Sequence, residues 1–225
     1  GATPYFVDVE MDTFNLSIDS LKASINNIIA ENIFKIRAII VVDLYGLPAN
    51  YKEITKIAKQ HELFLISDAA QSFGARYNNK KVGTLADITC TSFFPAKPLG
   101  CYGDGGALFT NNDNICDRLK SLRVHGKGKS KYDIDFIGLN SRLDTIQAAI
   151  LLAKIEEFEW EFNQRNKIAN NYSNALKNYI TIPIIPDGSK SVWAQYTLKH
   201  EKREIIQKKL RDKGCLLYTS PSPRD

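Results

Sequence analysis

The chain has 225 residues, a formal net charge of +5 and a composition that is 44% hydrophobic and 24% charged. This is ordinary globular composition, sufficient for one large domain or one and a half smaller ones. No apolar run approaches the roughly 18 residues that span a bilayer, and the opening GATPYFVDV lacks the regions of a signal peptide. We therefore expect a cytoplasmic protein without a membrane segment.

The cysteines and the basic residues favour neither a metal site nor a nucleic-acid interface. The four cysteines form no C-x-x-C pair and are predicted to be reduced thiols. The lysines are dispersed, apart from Lys127, Lys129 and Lys131 in GKGKSKY, a run more typical of a solvated loop than of a phosphate-binding patch. We expect no metal and no nucleic-acid partner.

Strand and helix patterns alternate from the start of the chain. PYFVDV is a short strand candidate, and SIDSLKASINNIIAEN predicts a helix with a cap at Ser17. IRAIIVVDLYG is a continuous β-branched run, typical of a strand buried on both faces. NYKEITKIAKQH predicts a helix, and LFLIS predicts a buried strand that ends at Asp68.

The second half of the chain adds strands and then long helical patterns. ITCTSFF and GGALFT predict strands, and NNDNICDRLKSLRVHG predicts a helix with an Asn or Asp cap that closes at Gly126. The stretch from RLDTIQAAIL to NALKNY is one long helix or two in succession. IPIIP, a turn at DGSK, a strand near WAQYTLKH and a helix at KREIIQKKLRDKG then indicate the opening of a smaller domain.

The alternation predicts an α/β fold, with an open, mainly parallel sheet and helices on both faces. Ligands in such sheets bind at the carboxyl ends of the strands. Asp68, Ser92 and Lys97 all lie at or just beyond such ends. The sequence therefore predicts a ligand site at this edge of the sheet.

The chain divides into four predicted segments. Residues 1–150 form a large ligand-binding domain that lacks its first part, 151–180 a connecting helix, and 181–214 the start of a truncated C-terminal domain. Residues 215–225, CLLYTSPSPRD, resemble the in-frame translation of a transposon-type adapter used in DNA sequencing libraries, with a natural Ser/Pro-rich tail as the alternative. We expect a fragment that is cut at both ends.

Taken singly, the polar residues near the strand ends have structural explanations. Asp68 in LISDAAQSFGA would form a cap or a turn, Gln71 would be structural, Ser92 would be an ordinary strand residue, and Lys97 would extend its amine into solvent. Together they combine a carboxylate, a hydroxyl and a lysine confined between two prolines. The following GCYGDGG lets backbone approach closely but lacks the G-K-[ST] of a nucleotide P-loop.

This combination matches the needs of pyridoxal 5'-phosphate (PLP). A lysine that forms a Schiff base needs a desolvated or electropositive pocket. A PLP enzyme adds an acidic partner for the pyridinium nitrogen, together with hydroxyls and backbone N–H groups for the phosphate. Asp68, Ser92 and Lys97 supply three of these requirements in chain order, so the sequence predicts Lys97 as the Schiff-base lysine.

Five stretches carry a family resemblance: GATPYFVDVEMDTFNLSIDSL, VVDLYGLPANYKEI, ISDAAQSFGARYNNKKVGTLADITCTSFFPAKPLGCYGDGGALFTN, RVHGKGKSKY and GLNSRLDTIQAAIL. They resemble the DegT/DnrJ/EryC1/StrS sugar aminotransferases, and within that family the enzymes that aminate UDP-2-acetamido-3-oxo-glucuronate for bacterial surface polysaccharides such as O-antigen. The resemblance implies a fold-type I, aspartate-aminotransferase-like, PLP-dependent homodimer with shared active sites. It also implies a nucleotide-linked keto-sugar as acceptor and L-glutamate as donor.

The resemblance also implies roles for five residues by position. Lys97 matches the lysine that binds the cofactor covalently, and Asp68 matches the partner of the pyridine nitrogen. Gln71 matches the residue beside the 3-hydroxyl, Ala70 packs near the ring, and Ser92 matches a phosphate ligand.

Three further positions are less settled. Asn140 resembles the asparagine that reaches the phosphate of the neighbouring subunit, and Arg142 a substrate contact across the dimer; a helix cap and a first-turn charge are the alternatives. Asp43 stands where relatives often have His or Ser, which leaves it without an assigned role.

Two family features are not found within the chain, a Gly-Thr helix start and a His-Tyr-Pro loop, so we expect these residues alone to be inactive. Three other functions stay open. One is a PMP-dependent sugar dehydratase of the same family, which would carry His in place of Lys97. The others are a fold-type I enzyme that acts on amino acids alone and a non-catalytic binding or structural fragment.

Overall fold

The regular elements follow the predicted alternation of strands and helices. The computed structural model describes residues 1–32, 34–130, 132–215 and 217. In chain order the elements are α1 (Ile18–Glu31), β1 (Ala38–Val42), a 3₁₀ turn (Leu44–Gly46), α2 (Tyr51–Gln60), β2 (Phe64–Asp68), β3 (Arg76–Tyr77), β4 (Lys80–Lys81), β5 (Ile88–Ser92), β6 (Gly106–Phe109), α3 (Asp113–Arg123), α4 (Thr145–Leu176), β7 (Ser189–Lys190) and α5 (Arg203–Asp212).

The main sheet has the strand order β1-β2-β5-β6. β1, β2 and β5 are parallel, and β6 returns antiparallel to β5. The predicted α/β class with a mainly parallel sheet is therefore confirmed. A second, antiparallel sheet has the order β4-β3-β7. β3 and β4 follow β2 in the chain, and β7 pairs with β3, which places residues 189–190 beside them.

The two faces of the main sheet differ in burial. Side chains of one face, such as Ile39, Val41 and Leu65, are almost fully buried against α1 and α2. On the other face Ile40 is 64% exposed and Leu108 is 50% exposed. The prediction that IRAIIVVDLYG is buried on both faces is therefore wrong for β1, because no described element of this chain covers the second face.

Sequence features at the ends of α1 and α2 fix where these helices begin. Ser17 caps α1, since its side chain accepts a hydrogen bond from the Ser20 N–H. Asn50 caps α2 in the same way through the Glu53 N–H. Both helices then bury one apolar face against β1 and β2, as their spacing of apolar residues predicts.

α4 is one continuous helix, which settles the choice between one helix and two. It begins at Thr145 after the N-cap Asp144 and ends at Leu176. Phe158 and Phe162 on its inner face pack with Phe93, Leu99 and other buried residues in a second apolar cluster. The predicted division of the chain at residue 150 falls inside this helix and stays a prediction.

Three local expectations differ from the structure. PYFVDV forms no strand; only its last residue, Val9, pairs, in an isolated bridge with Leu16, and no ladder forms. No strand forms over WAQYTLKH either, since Trp193 adopts a φ of 54° that breaks the extended backbone. α3 is capped by Asn112 as predicted but ends at Arg123, before Gly126.

The predicted helix at KREIIQKKLRDKG is confirmed as α5. Of the proposed adapter segment, residues 215–225, only positions 215 and 217 are among the described residues, so that interpretation lies mostly outside them. In the described part of the chain, no helix has both the length and the apolar character needed to cross a membrane.

Candidate active site

Asp68 ends β2 on the open face of the main sheet. It lies opposite Val42 of β1 and Cys90 of β5 in the register of the parallel strands. Its Oδ1 accepts a hydrogen bond from the Ala70 N–H at 3.0 Å, which forms the turn that sequence reasoning allowed for. No hydrogen bond within the described residues reaches Oδ2, so this oxygen is free to accept a bond from a ligand.

Ser92 lies on the same face as Asp68, one step along β5. Since Cys90 is opposite Asp68 and side chains alternate along a strand, Ser92 points to the same side as Cys90. The proximity of Asp68 and Cys90 has an electrostatic consequence, because burial and then the Asp68 charge raise the pKa of the Cys90 thiol. The Ser92 hydroxyl accepts from the Phe94 N–H at 3.2 Å and keeps its own proton to donate.

Lys97 lies in a tight turn just after β5. Its backbone N–H donates to the Phe94 carbonyl at 2.8 Å, and its side chain is half-buried. A Cβ at Gly100 would lie 2.6 Å from the Pro95 carbonyl oxygen, so only glycine allows the chain to fold back this closely. The Cys101 N–H closes the turn on the Phe93 carbonyl at 2.8 Å.

Helix α4 supports this turn from outside the sheet. The Lys154 amine donates to the Gly100 carbonyl at 2.6 Å, and Arg165 Nη2 donates to the Pro98 carbonyl at 3.3 Å. Gln147 Oε1 accepts from the Tyr102 N–H at 2.8 Å. These three side chains form hydrogen bonds with backbone groups of Pro98, Gly100 and Tyr102. The sequence pattern did not identify them.

Gln71 and Ala70 lie in the turn that follows Asp68. Gln71 Oε1 accepts from the Tyr45 N–H at 2.7 Å, which ties its amide to the 3₁₀ turn after β1. The amide nitrogen of Gln71 therefore has a fixed direction, since the oxygen is held. Ala70 is half-buried beside it.

A buried network of hydrogen bonds lies behind Asp68 and Gln71, centred on Asp43. Asp43 Oδ1 accepts from the Ala49 N–H and from the Tyr51 hydroxyl, each at 2.9 Å. Oδ2 accepts from the Ser72 hydroxyl at 2.7 Å. Tyr51 and Ser67 oxygens are 2.6 Å apart, and since the Tyr51 proton faces Asp43, Ser67 donates to Tyr51.

The network is closed to solvent, and this perturbs its acid–base properties. Asp43 is fully buried. Burial raises the pKa of Asp43 to about 6, against the opposing effect of its hydrogen bonds. Burial and the neighbouring Asp43 carboxylate also raise the pKa of Tyr51. Sequence reasoning noticed Asp43 as a departure from relatives, but nothing in the linear pattern connects it with Ser67 or Ser72.

Asn140 and Arg142 lie away from these residues, on the surface. Arg142 Nε donates to Asn140 Oδ1 at 3.3 Å, and both side chains are exposed. Asn140 also forms a bridge to Val124 through its backbone. Since α4 begins only at Thr145, the alternative roles of a helix cap and a first-turn charge are wrong for these two positions.

The groups gathered here have the chemistry that PLP requires. Asp68 offers a free carboxylate oxygen for a protonated ring nitrogen, and Gln71 offers an amide N–H for the ring oxygen. Ser92 offers a hydroxyl proton for the phosphate, and Lys97 a primary amine for the aldehyde. The donor set therefore fits this cofactor.

Comparison with known proteins identifies the class of the chain. The sequence profile of the DegT/DnrJ/EryC1/StrS aminotransferase family matches residues 1–218. The chain belongs to this family, and its fold is that of the fold-type I PLP enzymes, as the sequence predicted.

Two curated relatives show the range of the similarity. The chain is 45% identical over 215 residues to UDP-2-acetamido-2-deoxy-3-oxo-D-glucuronate aminotransferase of Pseudomonas aeruginosa, with 95% of this chain and 58% of the relative covered. It is 37% identical over 215 residues to UDP-N-acetyl-3-dehydro-alpha-D-glucosamine 3-aminotransferase of Acidithiobacillus ferrooxidans, with 95% and 56% covered. The chain thus spans little more than half the length of these relatives.

Solved structures agree with the sequence comparison. A DegT DnrJ EryC1 StrS aminotransferase from Brucella abortus is 48% identical, with a TM-score of 0.94 over 95% of this chain and 57% of that one. The structure of S. venezuelae DesV in complex with a ketimine intermediate is 33% identical, with a TM-score of 0.88 over 95% of this chain and 56% of that one.

Proposed function

We propose that the protein containing these residues is a PLP-dependent aminotransferase that transfers an amino group to a nucleotide-linked keto-sugar, with L-glutamate as the donor. The acceptor we propose is UDP-2-acetamido-3-oxo-glucuronate or a close analogue, used in bacterial surface-polysaccharide synthesis. The support for this acceptor is the 45% identity to the Pseudomonas aeruginosa enzyme that is named for it.

One observation carries the cofactor assignment. Asp68 and Ser92 end adjacent parallel strands on the same face of the sheet, and Lys97 follows in a turn that α4 braces. This is the edge at which open α/β sheets bind ligands. Two neighbouring strand ends therefore present a carboxylate and a hydroxyl, with an amine just beyond.

Each residue has a distinct task in this proposal. PLP, when bound, draws electrons away from the substrate carbon and carries the amino group between the two half-reactions. Asp68 would pair with the ring nitrogen, while Gln71 and Ser92 would orient the ring and the phosphate. The Lys97 amine holds the cofactor covalently, and once displaced by the donor amine it takes up and returns the substrate proton.

The surface positions of Asn140 and Arg142 fit a site that two subunits share. Neither side chain contacts the Asp68 region in this chain, and the residues around them, including Ile137 and Leu139, are exposed. We propose that in a homodimer Asn140 reaches the partner's phosphate site and Arg142 its substrate.

The first test uses the full-length gene product that contains these residues. Adding PLP should produce an absorption band of a lysine-bound cofactor, and borohydride reduction followed by peptide mass analysis should place the cofactor on Lys97. Lys97→Ala should lack the band. Its turnover should fall by more than the roughly 10²–10⁴-fold that is typical of removing a general acid or base. Lys120→Ala, at an exposed lysine, serves as the matched control.

Two results would contradict the proposal. A folded protein without a spectral change on adding PLP would favour a non-catalytic role, and steady-state turnover in Lys97→Ala would remove the assignment of that lysine. A screen of donors and acceptors then separates the substrates. Turnover with amino and keto acids, and none with any nucleotide-linked keto-sugar, would exclude a sugar acceptor.

A further inference from the structure

We propose that Asp43 is a positioning residue: through its buried hydrogen bonds it holds two turns, the one that follows Asp68 and the 3₁₀ turn Leu44–Gly46 that binds Gln71, in the geometry that binds the cofactor. This rests on the proposed function, since the two turns matter only if they carry a cofactor site. Asp43 is fully buried and bonds to Tyr51 of α2, so the role we assign to it is indirect.

Asp43 is connected to Asp68 by two routes. Its backbone N–H donates to the Asp68 carbonyl at 3.0 Å, beyond the last paired residues of β1 and β2. Its Oδ1 holds the Tyr51 hydroxyl, which in turn receives the Ser67 proton. Ser67 is the residue immediately before Asp68, so both routes fix the end of β2.

Asp43 is connected to Gln71 from the other carboxylate oxygen. Oδ2 accepts from Ser72, the residue immediately after Gln71. In addition, Asp43 begins the 3₁₀ turn whose Tyr45 N–H donates to Gln71 Oε1 at 2.7 Å. One carboxylate therefore joins the residue before Asp68 to the residue after Gln71.

The placement of the network explains why a carboxylate serves here. Three donors converge on Asp43, from Ala49, Tyr51 and Ser72, and a carboxylate is the side chain that accepts from all three without offering a proton of its own. Since partly satisfied buried networks are costly, the network is most stable with all three bonds formed. The two turns are thus set as a unit.

Two substitutions at Asp43 separate its hydrogen bonds from its charge. Asp43→Leu removes all three acceptors. Asp43→Asn keeps the network, because its Oδ1 accepts from Ala49 and Tyr51 and its amide donates to the Ser72 oxygen, which reverses one bond. Thr89→Val is the control, since Thr89 is buried next to Ser67 in the sheet and its hydroxyl has no partner among the described residues.

The first readout needs no cofactor. Amide hydrogen exchange of the apo full-length protein reports the Tyr45 N–H, which Gln71 protects, and the Ala70 N–H, which Asp68 protects. Asp43→Leu should speed exchange at both amides, whereas a residue with a purely local role would affect only Ala49, its direct donor. Asp43→Asn and Thr89→Val should leave Tyr45 and Ala70 protected.

The second readout is the dissociation constant for PLP. Loss of a residue that supports a metal ligand typically lowers metal affinity by roughly 10–100-fold. By the same reasoning we expect Asp43→Leu to raise the dissociation constant for PLP about tenfold. Asp43→Asn should restore binding to within about threefold of the parent. If Asp43→Leu does not fold, two single substitutions replace it. Tyr51→Phe removes the bond from Tyr51 to Asp43 and should speed exchange at the Ala70 N–H. Ser72→Ala removes the bond from Ser72 to Asp43 and should speed exchange at the Tyr45 N–H.

The outcomes separate this inference from the proposed function. Wild-type protein that does not bind PLP overturns the function, while the exchange data still decide whether Asp43 orders the two turns. Unchanged protection at Tyr45 and Ala70 in folded Asp43→Leu, or in both single-arm variants, overturns the positioning role. An Asp43→Asn variant as impaired as Asp43→Leu also overturns it, because charge rather than hydrogen bonding would then be responsible.

Discussion

The two faces of the main sheet have different tasks. The face toward α1 and α2 contains the apolar core and, at its edge, the Asp43 network with Tyr51 and Ser67. The opposite face is open in this chain and presents Asp68 and Ser92 with few neighbours. Because alternate residues of one strand point to opposite faces, Ser67 belongs to the support and the adjacent Asp68 to the candidate chemistry.

This division teaches how one strand end combines stability and reactivity. The packed face can hold a buried carboxylate because three donors satisfy it there. The open face can leave an oxygen of Asp68 without a partner because a ligand or solvent reaches it. Substitutions on the open face should therefore change activity directly, whereas apolar substitutions on the packed face should change folding and those in the Asp43 network should act on the site through the two turns.

Among the substitutions that compare the two faces, Asp68→Asn on the open face has the largest expected effect. The Asn oxygen can still accept from the Ala70 N–H, so the turn persists, but the charge that stabilises the protonated ring is lost. We expect kcat/KM of the full-length gene product to fall about 10²–10³-fold, with an unchanged Tm. Activity within about threefold of the parent would show that Asp68 does not face the cofactor.

Alanine substitutions at one buried and one exposed position test the difference in burial directly. Ile54→Ala, at a fully buried position of α2, should lower the free energy of unfolding by about 2–5 kcal/mol. Ile40→Ala, at an exposed position of β1, should change it by about 0.5 kcal/mol or less. Urea unfolding of the 225-residue chain measures both. A comparable loss in Ile40→Ala would show that the open face is covered in solution.

The raised pKa of Asp43 predicts a pH-dependent stability on the packed face. Burial raises its folded-state pKa to about 6, above the unfolded value near 3.8, so the folded state binds the proton more tightly. Below the unfolded value both states are protonated and the group has no effect. As pH rises through the folded value, stability falls, by about 3 kcal/mol in full.

Comparison with Asp43→Asn isolates this contribution, since other groups titrate equally in both proteins. The unfolding free energy of the parent minus that of the variant should decrease as the pH rises from about 4 to about 7. A difference that is flat over this range would show that the carboxylate is not desolvated in solution.

The last substitution, Thr89→Val, is expected to change stability only slightly. Its hydroxyl is buried and has no partner among the described residues, so the substitution removes a desolvation cost and conserves shape. We expect a gain of up to about 1 kcal/mol in unfolding free energy. A loss in thermal or urea unfolding would instead reveal a hydrogen bond to this hydroxyl in solution.

Most of the fold follows from local patterns in the sequence. Ser17 and Asn112 mark the starts of α1 and α3, and the apolar runs mark β1, β2 and β5. The expected strand at PYFVDV fails because a strand needs a partner over its length as well as a propensity, and the one at WAQYTLKH fails because Trp193 has a positive φ. Burial of β1 on both faces fails for a similar reason, since a covering layer is not visible in the strand's own residues.

The candidate site was only partly predictable. Asp68, Ser92 and Lys97 carry a pattern of residue types at strand ends, and the family motifs add Ala70 and Gln71. The Asp43 network has no such pattern, because Asp43 meets Ser72 across 29 positions and only the pairing of β1 with β2 aligns them. The α4 contacts to the Lys97 turn are likewise set by tertiary packing, as Lys154 and Gly100 are 54 positions apart.

The turn beside Gln71 has a consequence for the timing of synthesis. The Gly46 carbonyl accepts from the Ser191 hydroxyl and from the Val192 N–H, each at 3.0 Å, and the first of these bonds spans 145 positions. At about 5–20 residues per second, a ribosome makes Ser191 roughly 7 to 29 s after Gly46. Once Ser72 has been made, the nascent chain has β1, β2 and the hydrogen-bond partners of the Asp43 carboxylate but not these two bonds, so the 3₁₀ turn that holds Gln71 is completed only after Ser191 and Val192 have been added.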